Sequence, residues 1–167
     1  RRYRTLGHVF SEAGYRTVYF GKCHFGVSLA ELGFAEGRDY DGVKIDDAEA
    51  ARLGMGHVPA VLRRDYLAAR EAAAFLRDFD DDGRPLFFIF STNLPHPPFF
   101  NEPEFADLFA AEGLELPPSY YAEDFSTKPA FHREHAEDER HGAGSEAAAR
   151  EELAQYYSMI AATDAHM

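Results

Sequence analysis

The stretch "YRTVYFGKCHFG", residues 15–26, changes character at its middle. Residues 15–20 are β-branched or aromatic at five of six positions and read as a strand. Gly21 ends the run, and Lys22, Cys23 and His24 follow at once. A strand that ends directly in a lysine, a thiol and an imidazole raises a question of direction. If the chain stays extended through Phe25, side chains alternate, so Lys22 and His24 share a side and Cys23 points the other way. An inward cysteine behaves as a small hydrophobe. The rival reading makes Cys23 a nucleophile whose pKa is lowered by Lys22 and His24.

Working outward, Leu6, Val9, Phe10 and Ala13 recur at helical spacing before the strand, and Gly14 is a stop. Residues 26–60 read as loop, rich in Gly and Asp. Leu62, Tyr66, Ala69, Ala73, Leu76 and Phe79 form a helical stripe, broken by "DDDGRP". "LFFIFS", residues 86–91, is apolar without alternation, as in a strand buried on both faces in the middle of a parallel sheet. Residues 95–144 are Pro-rich and then highly charged. A last helix starts at Ser145, an N-cap, and runs through Leu153, Tyr156, Tyr157 and Ile160.

Strand, helix, strand predicts a βαβ unit with helices on both faces of a mostly parallel sheet. Ligands of such sheets bind beyond the carboxyl ends of the strands. "GKCH" leaves one such end and "TNLPHPPF", residues 92–99, leaves another, so Lys22, His24 and His96 are candidates to meet on one edge.

Composition narrows the classes. The 167 residues are 46% hydrophobic and 14% aromatic, enough for one globular domain with a core. A net charge of −12 repels polyanions, which argues against nucleic acid as a partner, and an anionic small substrate needs a local positive cluster. One cysteine excludes an internal disulfide. No apolar run is long enough to span a membrane. The chain opens at Arg1 and stops at Met167 inside helical patterns, which predicts an internal piece of a longer protein.

Two segments carry a family resemblance. "GYRTVYFGKCHFG", residues 14–26, resembles the G-Y-x-T-x-x-x-G-K-W-H-x-G signature of sulfatases, within the alkaline-phosphatase-like superfamily. "RPLFFIFSTNLPHPPF", residues 84–99, is similar to the family's R-P-F-F-x-x-x-S-x-x-x-P-H-x-P-F segment. "LGF" at 32–34 and the Tyr-rich helix of "AQYYSMIAATDAHM" fit the same pattern in the same order. The resemblance implies an αβα sandwich of three layers around a mostly parallel sheet. Residues 1–167 would then be one partial catalytic domain, its sheet incomplete in this chain.

The resemblance also implies roles. Lys22 binds a sulfate oxygen as a compact point charge. His24 contacts the nucleophile, a hydrated formylglycine. His96 binds the sulfate ester and assists the leaving group. A divalent metal, calcium by expectation, belongs to the parent protein, with its acidic ligands outside this chain; no metal ligand is assigned here. The expected partner is a small sulfate ester. Two departures stand out. Position 23 is Cys where Trp is usual, and the formylglycine precursor motif C-x-P-x-R is absent, since Phe25 and Val27 follow Cys23 where it needs Pro and Arg. A phosphodiesterase or phosphonate monoester hydrolase of the same superfamily uses the same Lys and His positions. A non-catalytic, degenerate relative is the third reading.

Each feature also has a plainer account. Lys22 reads as a loop lysine, His24 as a core histidine and His96 as part of a rigid turn between prolines. Ser91 and Asn93 read as groups that satisfy loop backbone. "DFDDDG", residues 78–83, imitates a calcium loop but has Ile89 where a bidentate Glu is required, and reads as a helix-to-strand turn. "HREHAEDERH", residues 132–141, lacks zinc spacing and reads as a solvated insert.

Overall fold

The computed structural model describes residues 3–99, 104–121, 124–134 and 145–166. They fall into two compact units, one formed by the chain up to Leu94 and one by Pro95–Ala165.

The first unit is α/β. Three parallel strands, β1 (Arg16–Gly21), β2 (Glu36–Asp39) and β3 (Leu86–Ser91), make a sheet in the order β2-β1-β3. Register places Tyr19 opposite Ile89 on one side and opposite Gly37 on the other. β1 is therefore the central strand, and its Val18, Tyr19 and Phe20 are buried. The apolar run 86–91 is not in the middle: β3 borders only β1 among the described residues, and its six residues are half-buried.

Helices cover both faces, because successive residues of β1 and β3 point to opposite sides. On one face Tyr19 packs with Cys23, Leu32 and Phe34, joined by Phe87 and Ile89. Helix α1 (Leu6–Glu12) closes this face through Phe10, stacked on Phe87 at 3.9 Å. On the other face Phe20 and Phe88 meet Phe75 of helix α3 (Arg63–Arg77). These are the three layers expected of an αβα arrangement.

Three local readings need correction. The stretch 26–60 is not all loop. It holds a 3₁₀ turn at Ala30–Leu32, strand β2 and helix α2 (Asp47–Arg52), whose N-cap Asp46 accepts from the Glu49 amide. The inner face of α1 takes only Phe10 from its apolar stripe: Leu6 and Val9 are exposed, while Gly7 is buried. A Cβ at Gly7 would come within 2.2 Å of the Leu32 carbonyl oxygen, so a bare backbone is what lets the helix approach. The stripe on α3 is out of phase. Leu62 and Ala69 are buried as expected, but Ala73 and Leu76 are exposed, and Arg63, Asp65, Leu67, Ala68 and Ala72 are buried as well.

The second unit holds short helical turns at Ala106–Leu108, Ala111–Gly113 and Pro118–Tyr121, and the long helix α4 (Glu146–His166). Ser145 caps α4, its hydroxyl accepting from the Ala148 amide as expected. Arg150 of α4 donates to the Leu114 carbonyl at 3.0 Å. Most of "HREHAEDERH" lies outside the described residues.

Candidate functional site

The three strands run parallel, so their carboxyl ends share one edge of the sheet. β1 delivers Gly21, Lys22, Cys23 and His24 there. β3 delivers Ser91 to Leu94, and β2 delivers Asp39 to Asp41.

Pairing continues one residue beyond the strands. Lys22 N donates to Ser91 O, and Tyr40 N donates to Gly21 O, both at 2.9 Å. The Tyr19 hydroxyl donates back to the Lys22 carbonyl at 2.6 Å. Lys22 is thus gripped through its own backbone. Its half-buried side chain turns toward β3, where Nζ donates to Asn93 Oδ1 at 2.9 Å.

Cys23 turns into the core with Tyr19, Leu32 and Phe34 and is 3% exposed. Burial pushes its thiol above the ordinary value, and the Asp39 carboxylate pushes the same way. Both effects disfavour the thiolate, which argues against the nucleophile reading. Its backbone N–H donates to Asp39 Oδ1 at 3.0 Å, and the Asp41 amide shares that oxygen at 2.8 Å.

The chain does not stay extended to Phe25. A turn begins at His24, which swings toward the end of β2. Its Nδ1 lies 3.8 Å from Asp41 Oδ2, with the ring 78% exposed. Lys22 and His24 therefore leave β1 toward opposite neighbours, Lys22 toward β3 and His24 toward β2. Each keeps a polar partner and an open side.

Asn93 and Leu94 are held from beneath by a residue that the sequence reading passed over. Asp65 of α3 is 2% exposed. The Asn93 amide donates to both of its carboxylate oxygens at 3.0 Å, and the Leu94 amide donates to Oδ2 at 2.9 Å. A signal was present in the sequence: Leu62, Ala68, Ala69 and Ala72 stand at −3, +3, +4 and +7 from Asp65, which puts the acid at the centre of an apolar face.

His96 belongs to the second unit. It is exposed, and its Nδ1 donates to the Pro97 carbonyl at 2.6 Å, which leaves Nε2 for another partner. The peptide between Pro97 and Pro98 is cis.

The "DFDDDG" segment is a turn. Asp81 accepts from the Gly83 amide and Asp82 from the Arg84 amide and guanidinium. Among the described residues no group of three or more His, Cys, Asp or Glu side chains is arranged to hold a metal ion.

The family model described as Sulfatase matches residues 1–167, the whole chain. No curated protein matches it.

Proposed function

The chain belongs to the sulfatase family, and from that premise we propose that it supplies the sulfate-binding part of a sulfuric ester hydrolase. One observation carries the reading. The Lys22 ammonium stands at the carboxyl end of the central strand, held by Asn93, on the edge where parallel sheets take their ligands.

A sulfuryl group stays negatively charged throughout hydrolysis. Fixed positive donors around it lower the barrier, because they need no reorganisation as charge shifts to the leaving oxygen. Lys22 supplies a full charge with three N–H donors. One is spent on Asn93, which leaves two for sulfate oxygens. His24 is open enough to meet the nucleophile, with Asp41 Oδ2 3.8 Å from its Nδ1. His96 binds the sulfate ester and assists the leaving oxygen through Nε2, its Nδ1–H being engaged by the Pro97 carbonyl. The formylglycine nucleophile and the divalent ion, calcium by family resemblance, belong to the parent protein.

The test is turnover of an aryl sulfate beside an aryl phosphate diester by the intact protein, as wild type, Lys22→Ala and His96→Ala. Each variant is expected to lower sulfate turnover by about 10² to 10⁴. Unchanged sulfate turnover in both would remove these residues from the chemistry. Diester turnover far above sulfate turnover would assign the site to a phosphodiesterase or phosphonate monoester hydrolase. No turnover of either ester would leave a non-catalytic relative.

A further inference from the structure

We infer that Asp65 is a positioning residue for Lys22, acting through Asn93; the inference rests on the reading of Lys22 as the anion donor.

A lysine ammonium rides on a flexible four-carbon stem, and holding it in one place requires a partner. Here the partner is the Asn93 carbonyl, at 2.9 Å. Asn93 lies beyond the end of β3, where the sheet no longer holds the backbone. What holds it is the Asp65 carboxylate, through the Asn93 and Leu94 amides.

Asp65 is placed for this task and no other that the structure shows. It sits on the buried face of α3, among alanines and leucines, where an ionised group is costly unless paired. The nearest guanidinium nitrogen, Arg64 Nε, is 4.0 Å from Oδ1, beyond hydrogen-bond distance. Among the described residues, all the carboxylate's hydrogen bonds run to the loop that carries Asn93. Helix α3 packs on β1, so its position is transmitted from Asp65 to Asn93 and from Asn93 to the ammonium.

The choice of amide at 93 follows from the same logic. A carboxylate there would also accept from Lys22. It would, however, neutralise the lysine and place a negative charge beside an anionic substrate. An amide carbonyl orients the ammonium and leaves its charge intact.

Three variants of the intact protein test this: Asn93→Ala, Asp65→Asn and Asn93→Asp, each also in a Lys22→Ala background. Two readouts are used. One is kcat/KM on an aryl sulfate. The other is the rate at which an amine-acylating reagent modifies Lys22, followed by mass spectrometry. Asn93→Ala and Asp65→Asn are each expected to lower kcat/KM by about 10²-fold, the scale of a 1 Å misplacement. In the Lys22→Ala background they should lower it by no more than about twofold further. Lys22 acylation should accelerate in both, since the ammonium is released. Asn93→Asp should keep acylation slow yet raise the inhibition constant of inorganic sulfate. Should Asp65→Asn fail to fold, Asn93→Ala, which trims a half-buried loop side chain, decides alone.

Full additivity with Lys22→Ala, or acylation unchanged in the folded variants, would overturn the inference. Wild-type turnover in Lys22→Ala itself would instead overturn the reading of Lys22 as anion donor. The acylation rates would then still decide whether Asp65 and Asn93 hold the lysine.

Discussion

Gly21 and Ser91 meet so closely that a Cβ at Gly21 would stand 1.8 Å from the Ser91 carbonyl oxygen. Gly21 also has φ +115°, a region that other L residues avoid. This approach is what brings Lys22 N onto Ser91 O and the Lys22 side chain onto Asn93. Gly21→Ala should therefore cost more than about 3 kcal/mol, adding a backbone clash to an unfavourable φ. Gly42 is the control. Its φ is +70° with nothing within 4 Å of a Cβ, so Gly42→Ala should cost about 1 kcal/mol. Equal denaturation midpoints for the two variants would refute the close approach.

Cys23 should behave as a core residue. Its thiol is buried and its pKa raised, so reaction with a disulfide reagent at neutral pH should be about 10²-fold slower in the folded protein than in urea. Cys23→Ala should cost about 1 kcal/mol or more and leave most of the turnover. A folded Cys23→Ala variant without turnover would return the thiol to the chemistry.

The Arg16–Glu36 pair predicts an acid-dependent stability. Arg16 Nε and Nη2 donate to the two Glu36 oxygens at 2.5 and 2.7 Å, beside the Phe75 and Phe79 rings. The Arg16 guanidinium holds the Glu36 carboxyl below its ordinary value. A carboxylate depressed on folding contributes stability in full above its unfolded pKa and loses it as pH falls through the folded one. The difference in Tm between wild type and Glu36→Gln should thus be largest near pH 7 and shrink below about pH 4. Glu36 is partly exposed, so solvent keeps the effect small. A difference that grows toward acid would reverse the assignment.

What could be read in advance followed the apolar content of each segment. β1 and β3 announce themselves because their side chains fill both faces of the sheet. β2 has the sequence Glu-Gly-Arg-Asp and no apolar residue to announce it. It pairs through its backbone and the Glu36–Arg16 side-chain contact, and a Cβ at Gly37 would stand 1.8 Å from the Tyr19 carbonyl oxygen. The phase of α3 was misread for a related reason. Tyr66 and Leu76 look like core and Asp65 does not, yet the face is set by the amides that need Asp65. Strict alternation handled Lys22 and Cys23, but could not foresee the turn at His24. The site was legible as residue types at strand ends. Of its supports, Asp39 acts on backbone amides that carry no sequence signature, and Asp65 showed itself only as an acid at the centre of an apolar helical face.

Those two aspartates give a last prediction. Both accept two backbone amides at strand ends, Asp39 from Cys23 and Asp41, Asp65 from Asn93 and Leu94. They differ in burial: Asp65 is 2% exposed, whereas Asp39 is half-buried. An amide that loses its acceptor near water finds another there, while one that loses it in the core pays the full desolvation penalty, about 1–3 kcal/mol per group. Asp65→Ala should therefore cost about 3–5 kcal/mol and Asp39→Ala about 1 kcal/mol. Loss of the Asp65 side chain also leaves a cavity beneath the loop, which adds in the same direction. Urea denaturation of both variants, with the slope checked for two-state behaviour, gives the comparison. Hydrogen exchange at the Asn93 and Leu94 amides gives it locally, and these should lose protection in Asp65→Ala but keep it in Asp39→Ala. An Asp39 variant as damaged as the Asp65 variant would mean that burial does not set the cost, and that the two loops depend equally on their carboxylates.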